Sequence, residues 1–140
     1  MSDRALPTVT PETAFFWDGA KAGELRLQRC TPHGHTYFPP RFFCPHCGSR
    51  DVAVVKASGR ATLHSYIINH MPAPGMVPPF IVAVVELEEG VKMMGNILGV
   101  EQTHEAVQLD MPLEVTFERL TDEITLPQWR PAAPAGEGGR

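Results

Sequence analysis

The sequence predicts a mainly β protein with one short N-terminal helix, a metal-binding ribbon and a small barrel of five strands. Three observations carry this expectation. All three cysteines fall between residues 29 and 50, in two short motifs of equal spacing. Fourteen prolines and twelve glycines punctuate the chain and leave few windows long enough for a helix. Beyond residue 58, several stretches of β-branched or alternating residues are separated by turn signals.

The helix falls in "TPETAFFWDGAKAGEL". Thr10 is placed to cap it, Pro11 suits the first helical position, and Gly19 or Gly23 ends it. "ELRLQRC" then alternates as a strand does, with Leu25 and Leu27 on one face and Arg26 and Gln28 on the other.

Two knuckles follow. In Cys44-Pro45-His46-Cys47-Gly48, two thiols separated by two residues let backbone N–H groups turn toward sulfur, and the glycine relaxes the tight turn. Cys30-Thr31-Pro32-His33-Gly34 has the same spacing and the same glycine, with histidine where the second cysteine would stand. Cys30, His33, Cys44 and Cys47 therefore form a candidate Cys3His site for one Zn2+ per chain. His35 and His46 lie close enough in sequence to substitute, but neither occupies the knuckle position. Between the knuckles, "HTYFPPRFF" is expected to form a two-stranded ribbon turning at Pro39-Pro40. Without metal, that ribbon would have to be held by Phe38, Phe42 and Phe43. Four protein ligands leave no open coordination position, so the expected metal is structural. Cys44-Pro45-His46-Cys47 has redox spacing but lacks the strand-to-helix context of a thioredoxin-like motif.

The barrel strands are read in "GRATLHSYIIN", alternating over Ala61, Leu63, Ser65 and Ile67, in "PPFIVAVVELEEG", in its hairpin partner "VKMMGNILGV", and in "PLEVTFERL". One strand from the metal region would make the fifth. "HMPAPGMVPPF" is too rich in proline for a strand and is expected as a surface loop. The expected organisation is an N-terminal segment over residues 1–24, a ribbon over 25–54, a barrel over 55–130 and a disordered tail over 131–140.

Composition narrows the function. With 12 Lys+Arg against 16 Asp+Glu, the chain offers no general attraction for nucleic acid or an anionic membrane. No apolar run of about 18 residues would span a bilayer, and the N-terminal stretch lacks the plan of a secretory signal, so a cytoplasmic protein is expected. No Gly-x-Ser-x-Gly elbow, glycine-rich phosphate loop or His-Glu-x-x-His motif occurs. His64, His70 and His104 stand alone, and Glu88 and Glu89 read as a solvated hairpin end, so no catalytic residue is assigned.

The outline of aromatic helix, zinc ribbon and barrel resembles the bacterial and archaeal accessory proteins grouped as domain of unknown function 35. The resemblance runs from about Phe15 to Arg130, through "FFWDGAKAGELRLQRC", "YFPPRFFCPHCGS", "GRATLHSYIIN", "PPFIVAVVELEEGVKMMGNILG" and "LPQWRP". At His33 this chain departs from the resemblance, since the family's usual residue there is cysteine. The resemblance implies a rubredoxin-like zinc ribbon followed by an OB-type barrel. It also implies a non-catalytic subunit assembled with a thiolase or thiolase-like enzyme as a hetro-oligomer. Such enzymes make or break carbon–carbon bonds of acyl-CoA thioesters, in ketothiolase steps or in retro-aldol shortening of side chains, within lipid, steroid or aromatic catabolism. The acyl-CoA is then expected near the interface between the subunits.

Two apolar sets are candidates for partner contact. Phe15, Phe16 and Trp17 are consecutive, and one helix cannot bury all three against one barrel face. Met71, Met76, Val77 and Phe80 form the second set, in the proline-rich loop. Two other classes of function remain open to the residues. A stand-alone acyl-CoA binder would need cations near the coenzyme phosphates, for which Arg41, Arg60 and Lys92 are available. An OB-type binder of single-stranded nucleic acid would need aromatics interleaved with Lys/Arg, whereas Tyr66 and Phe117 lie among acids.

Overall fold

A computed structural model describes residues 5–132, so the expected tail lies outside the described residues from position 133 onward. The helix, α1, runs from Ala14 to Lys21 and starts later than expected. Thr10 and Thr13 close a turn of their own first: the Thr13 N–H donates to the Thr10 carbonyl, and the Thr10 N–H donates to Thr13 Oγ1, both at 3.0 Å. Thr13 thus takes the N-cap position. At the other end the Gly23 N–H donates to the Ala20 carbonyl and the Glu24 N–H to the Gly19 carbonyl. These paired reverse bonds are those of a Schellman stop.

Three strands make the ribbon sheet: β1 (Arg26–Cys30), β2 (Thr36–Tyr37) and β3 (Val52–Lys56), in the order β2-β1-β3. This corrects the expected ribbon. Residues 38–43 form no strand, and β2 pairs back onto β1, with Gln28 opposite Tyr37. Buried Gln28 explains why the chain leaves the sheet at this point: its side-chain Oε1 accepts the Arg41 N–H at 2.7 Å, replacing a ladder bond by a side-chain one.

Five antiparallel strands form a nearly closed barrel in the order β6-β5-β4-β7-β8. They are β4 (Arg60–Asn69), β5 (Phe80–Leu87), β6 (Lys92–Asn96), β7 (Pro112–Arg119) and β8 (Thr125–Pro131). The fifth strand is β8 and not one from the metal region, because β1 belongs to the other sheet. Its two prolines hide it from a propensity reading, yet an edge strand tolerates them. The barrel closes between β6 and β8 largely through side chains. Gln128 Oε1 accepts the Asn96 N–H at 2.7 Å, Gln128 Nε2 donates to Asn96 Oδ1 and Glu118 Oε1, and the Leu98 N–H reaches the Trp129 carbonyl at 2.7 Å. Trp129 itself is fully buried beneath this seam.

In β4 the structure overturns the simple alternation. Leu63 pairs with Val85 but Ser65 pairs with Val84, so His64 is an extra residue in a bulge. A period-two pattern changes face across such an insertion. Leu63 is accordingly 0% exposed and Ile67 is 62% exposed, while Tyr66 and Ile68 take up the inward role. One core joins the modules: Phe16 of α1 and Leu25 and Leu27 of the ribbon pack with Leu63, Ile81, Val85, Ile97, Leu113 and Trp129 of the barrel. Among the described residues, no helix is long and apolar enough to cross a membrane.

Candidate metal centre and apolar surfaces

The two knuckles repeat one hydrogen-bond plan. In the first, the Cys30 N–H donates to the His35 carbonyl (2.9 Å) and the Gly34 N–H to the Cys30 carbonyl (2.8 Å). In the second, the Cys44 N–H donates to the Ser49 carbonyl and the Gly48 N–H to the Cys44 carbonyl, both at 2.8 Å. Each bond spans the same number of residues in both. Gly34 and Gly48 sit at φ values of 72° and 76°, where a side chain would strain the turn. The Thr31 N–H donates to the Asp51 carbonyl at 2.8 Å, so the first knuckle is tied to the exit of the second.

This plan brings the sulfurs together. Cys47 Sγ lies 3.9 Å from Cys30 Sγ, and His35 Nδ1 lies 3.6 Å from Cys30 Sγ and 3.7 Å from Cys44 Sγ. The edge of a tetrahedron with zinc–sulfur bonds of ordinary length is about 3.8 Å. Donor atoms of Cys30, His33, His35 and Cys47 all lie within 4.8 Å of one another. The donor set therefore fits a tetrahedral metal ion. Cys30 and Cys44 are fully buried, while Cys47 and His33 are exposed and His35 is half-buried.

Thiol electrostatics follow the knuckle backbone. Burial pushes the Cys30 thiol up, but the His35 and His33 backbone N–H groups, with the Cys47 and Cys44 sulfurs, outweigh it and hold the group below its ordinary value. At Cys47 the Ser49 N–H pulls downward, yet burial and the Cys44 and Cys30 sulfurs together leave that thiol raised. Three thiols crowded together cannot all ionise alike without a cation among them. Apolar packing offers the ribbon little support of its own. Its separate cluster is Cys30, Tyr37 and Cys44 with Val52 at the side, and Phe42 and Phe43 point to solvent. Phe38 leaves the ribbon to pack on Phe16, their ring centroids 5.2 Å apart.

The two predicted apolar sets are divided by the structure. Phe16 is buried at 6% exposure and edge-on to Trp17, so it is a core residue and not a surface one. Phe80 is likewise buried, as the first residue of β5. Phe15 and Trp17 stay half-buried at the rim of the core, and Met76 is half-buried in the loop. Met71 and Val77 are exposed, Val77 at 85%.

A third set was missed: Ile67 of β4, Val82 and Val84 of β5 and Met94 of β6 line one apolar depression on the outer face of the barrel. Register places Ile67 opposite Val82, and Val84 opposite Met94. Alternation within β5 and β6 carried the signal, but the bulge concealed the β4 contribution.

The cations separate too. Arg60 pairs with Glu88, 2.9 Å apart, and this hydrogen-bonded partner raises the guanidinium and lowers the carboxyl from their ordinary values. Glu89 accepts the Ser58 N–H through Oε2 at 2.8 Å, so the acidic hairpin end ties down the start of β4. Arg41 and Lys92, far apart in sequence, line one cavity between ribbon and barrel with Tyr37 and His46. His104 meets the Tyr66 hydroxyl at 2.9 Å with no nucleophile motif beside it.

Fold and site together define a zinc-ribbon and OB-fold protein, and comparison with known proteins agrees. The family model described as "ChsH2, rubredoxin-like zinc ribbon domain" matches residues 17–53, and "ChsH2, C-terminal OB-fold domain" matches residues 54–118. A solved chain titled "Ltp2-ChsH2(DUF35) aldolase" is 36% identical and superposes with a TM-score of 0.82, covering 91% of this chain and 99% of that one. A "DUF35 domain-containing scaffold protein" of Methanocaldococcus jannaschii is 32% identical over 98 residues, 68% of each chain. The chain belongs to the DUF35 family. A "Probable enoyl-CoA hydratase alpha subunit" of Thermomonospora curvata is 36% identical over 135 residues, 96% of this chain but 42% of that relative's length. The chain thus spans less than half of that relative. "Benzoylsuccinyl-CoA thiolase subunit BbsA" of Thauera aromatica is 29% identical over 101 residues, 66% of this chain and 69% of that one.

Proposed function

We propose that this chain is a non-catalytic accessory subunit that docks on a thiolase or related enzyme acting on acyl-CoA thioesters and is needed for that enzyme's stability or activity. The observation that carries the reading is the likeness, along 99% of its length, to the chain of the Ltp2-ChsH2(DUF35) aldolase. The scaffold and thiolase-subunit names of two relatives support the same reading.

In this reading the barrel presents a docking face, and the ribbon holds one structural Zn2+ through Cys30, Cys44, Cys47 and one imidazole from the first knuckle, His33 by its position in the sequence. Zinc there supplies folding energy and not a reacting group. Phe15, Trp17, Met71, Met76 and Val77 remain candidate contacts with the partner. The partner enzyme and this chain would meet in the cytoplasm.

The test is capture of the tagged chain from its own cells at moderate salt. A stoichiometric acyl-CoA enzyme whose activity falls when this chain is omitted is the expected result. A chain that comes through alone and monodisperse overturns the reading.

A second reading, acyl-CoA binding by this chain alone, is favoured by the meeting of Arg41 and Lys92 in one cavity. Calorimetric titration of the isolated chain with coenzyme A decides it, and no heat above dilution removes it.

A further inference from the structure

Five donor side chains converge on a site that needs four: three cysteines and the histidines at 33 and 35. The geometry points to His35, through Nδ1, as the fourth metal ligand, with His33 outside the coordination sphere. The inference deepens the zinc-ribbon reading above and rests on it.

Four observations carry it. His35 Nδ1 approaches both buried sulfurs at once, 3.6 Å from Cys30 Sγ and 3.7 Å from Cys44 Sγ. Those are the separations of neighbouring vertices around a four-coordinate zinc, whose edges to nitrogen fall slightly below about 3.8 Å. Second, His35 is half-buried whereas His33 is exposed.

Third, the His33 ring makes its close contact with His35 itself, nearly parallel at 19° and 5.5 Å between centroids. Fourth, the His35 backbone is fixed by the knuckle, since its carbonyl accepts the Cys30 N–H at 2.9 Å. A fixed backbone presents the ring in one orientation at little further entropic cost.

A steric reason underlies the exchange. The knuckle position is shaped for cysteine, whose sulfur is one bond from Cβ. An imidazole reaches further, so a histidine at position 33 does not set its nitrogen where a cysteine sulfur would stand, although its donor atom lies within 4.8 Å of those of Cys30, His35 and Cys47. Position 35 follows the positive-φ turn at Gly34, and a longer arm returns from there to the sulfurs. The His46 ring also lies tilted against His35, with centroids 5.0 Å apart.

The test compares zinc retention in the full chain, His33→Ala and His35→Ala, each challenged with a chelator. It is joined by long-range 1H–15N NMR of the zinc-loaded native chain, which reports the metal-bound ring nitrogen directly and needs no variant to fold. Expected are an increase in zinc release of at least about tenfold for His35→Ala, a change under about threefold for His33→Ala, and a metal-bound Nδ1 at His35. Faster release from His33→Ala with a metal-bound His33 ring overturns the assignment while leaving the zinc ribbon intact. Equal losses in the two variants with neither ring metal-bound overturn it as well. A native chain purified without added metal or chelator that holds no zinc overturns both this inference and the zinc reading beneath it.

Discussion

At Gly59 the requirement for glycine is twofold. Its φ is 84°, and a Cβ added there would lie 2.8 Å from Val115 Cγ1, a branched side chain on the neighbouring strand. The Gly59 carbonyl also accepts the Val115 N–H at 2.8 Å, so the two residues cannot move apart without losing that bond. Gly59→Ala is therefore expected to destabilise the chain by about 1–3 kcal/mol, measured by denaturant unfolding. A variant as stable as the native chain would show that the start of β4 relaxes freely. In the sequence Gly59 reads only as the residue before a strand. Its need for a bare Cα arises from β7, more than fifty residues away, and no local pattern carries that information. The same holds for Gln28, whose burial is set by a loop returning to the ribbon at Arg41.

Among the elements, legibility tracks how local the cause is. The knuckles could be read because their spacing, glycine and sulfur all lie within five residues, and the structure repeats their hydrogen bonds at both sites. Strands β5 and β6 could be read because β-branched residues and a glycine turn define them locally. β8 was missed as a strand because its prolines argue against one until it is known to lie at the edge of the sheet. Spacing points to His33 at the knuckle position and the structure keeps it within the donor cluster, whereas the approach of His35 to the sulfurs depends on a fold-back that spacing does not describe.

The ribbon as an element lends itself to a direct measurement. Because its apolar cluster is so small, removing metal or introducing Cys44→Ser is expected to release the amides of Gly34, Cys44 and Gly48 to hydrogen exchange. Amides of β5 should stay protected. Unchanged protection in the ribbon would mean that it holds together without the metal.

For the molecule as a whole, the consequence of the His64 bulge lies on the surface. By turning Ile67 outward it completes an apolar face with Val82, Val84 and Met94. Exposed Ile67 and Met94 make few internal contacts to lose, so Ile67→Lys and Met94→Lys are each expected to leave unfolding stability within about 0.5 kcal/mol of native. If this face meets the partner enzyme, the same substitutions weaken co-purification by at least about tenfold, since a buried interface does not accept an unpaired lysine. Undiminished co-purification would move the contact to Trp17 or to the loop carrying Met71 and Val77.

β1 carries a further consequence. The strand delivers Leu27 into the barrel's core and, three residues on, Cys30 into the thiol cluster, while Leu25 just before it lies in the same core. The Leu25 carbonyl accepts the Ala57 N–H, so β3 is bound to the same strand immediately before the barrel begins. The line between the two family models falls at residues 53 and 54, inside β3. Ribbon and barrel thus share a strand and a core. Cutting at that line would split a strand and leave the barrel without the leucines that fill one of its walls. What can be fused or transplanted intact is the pair.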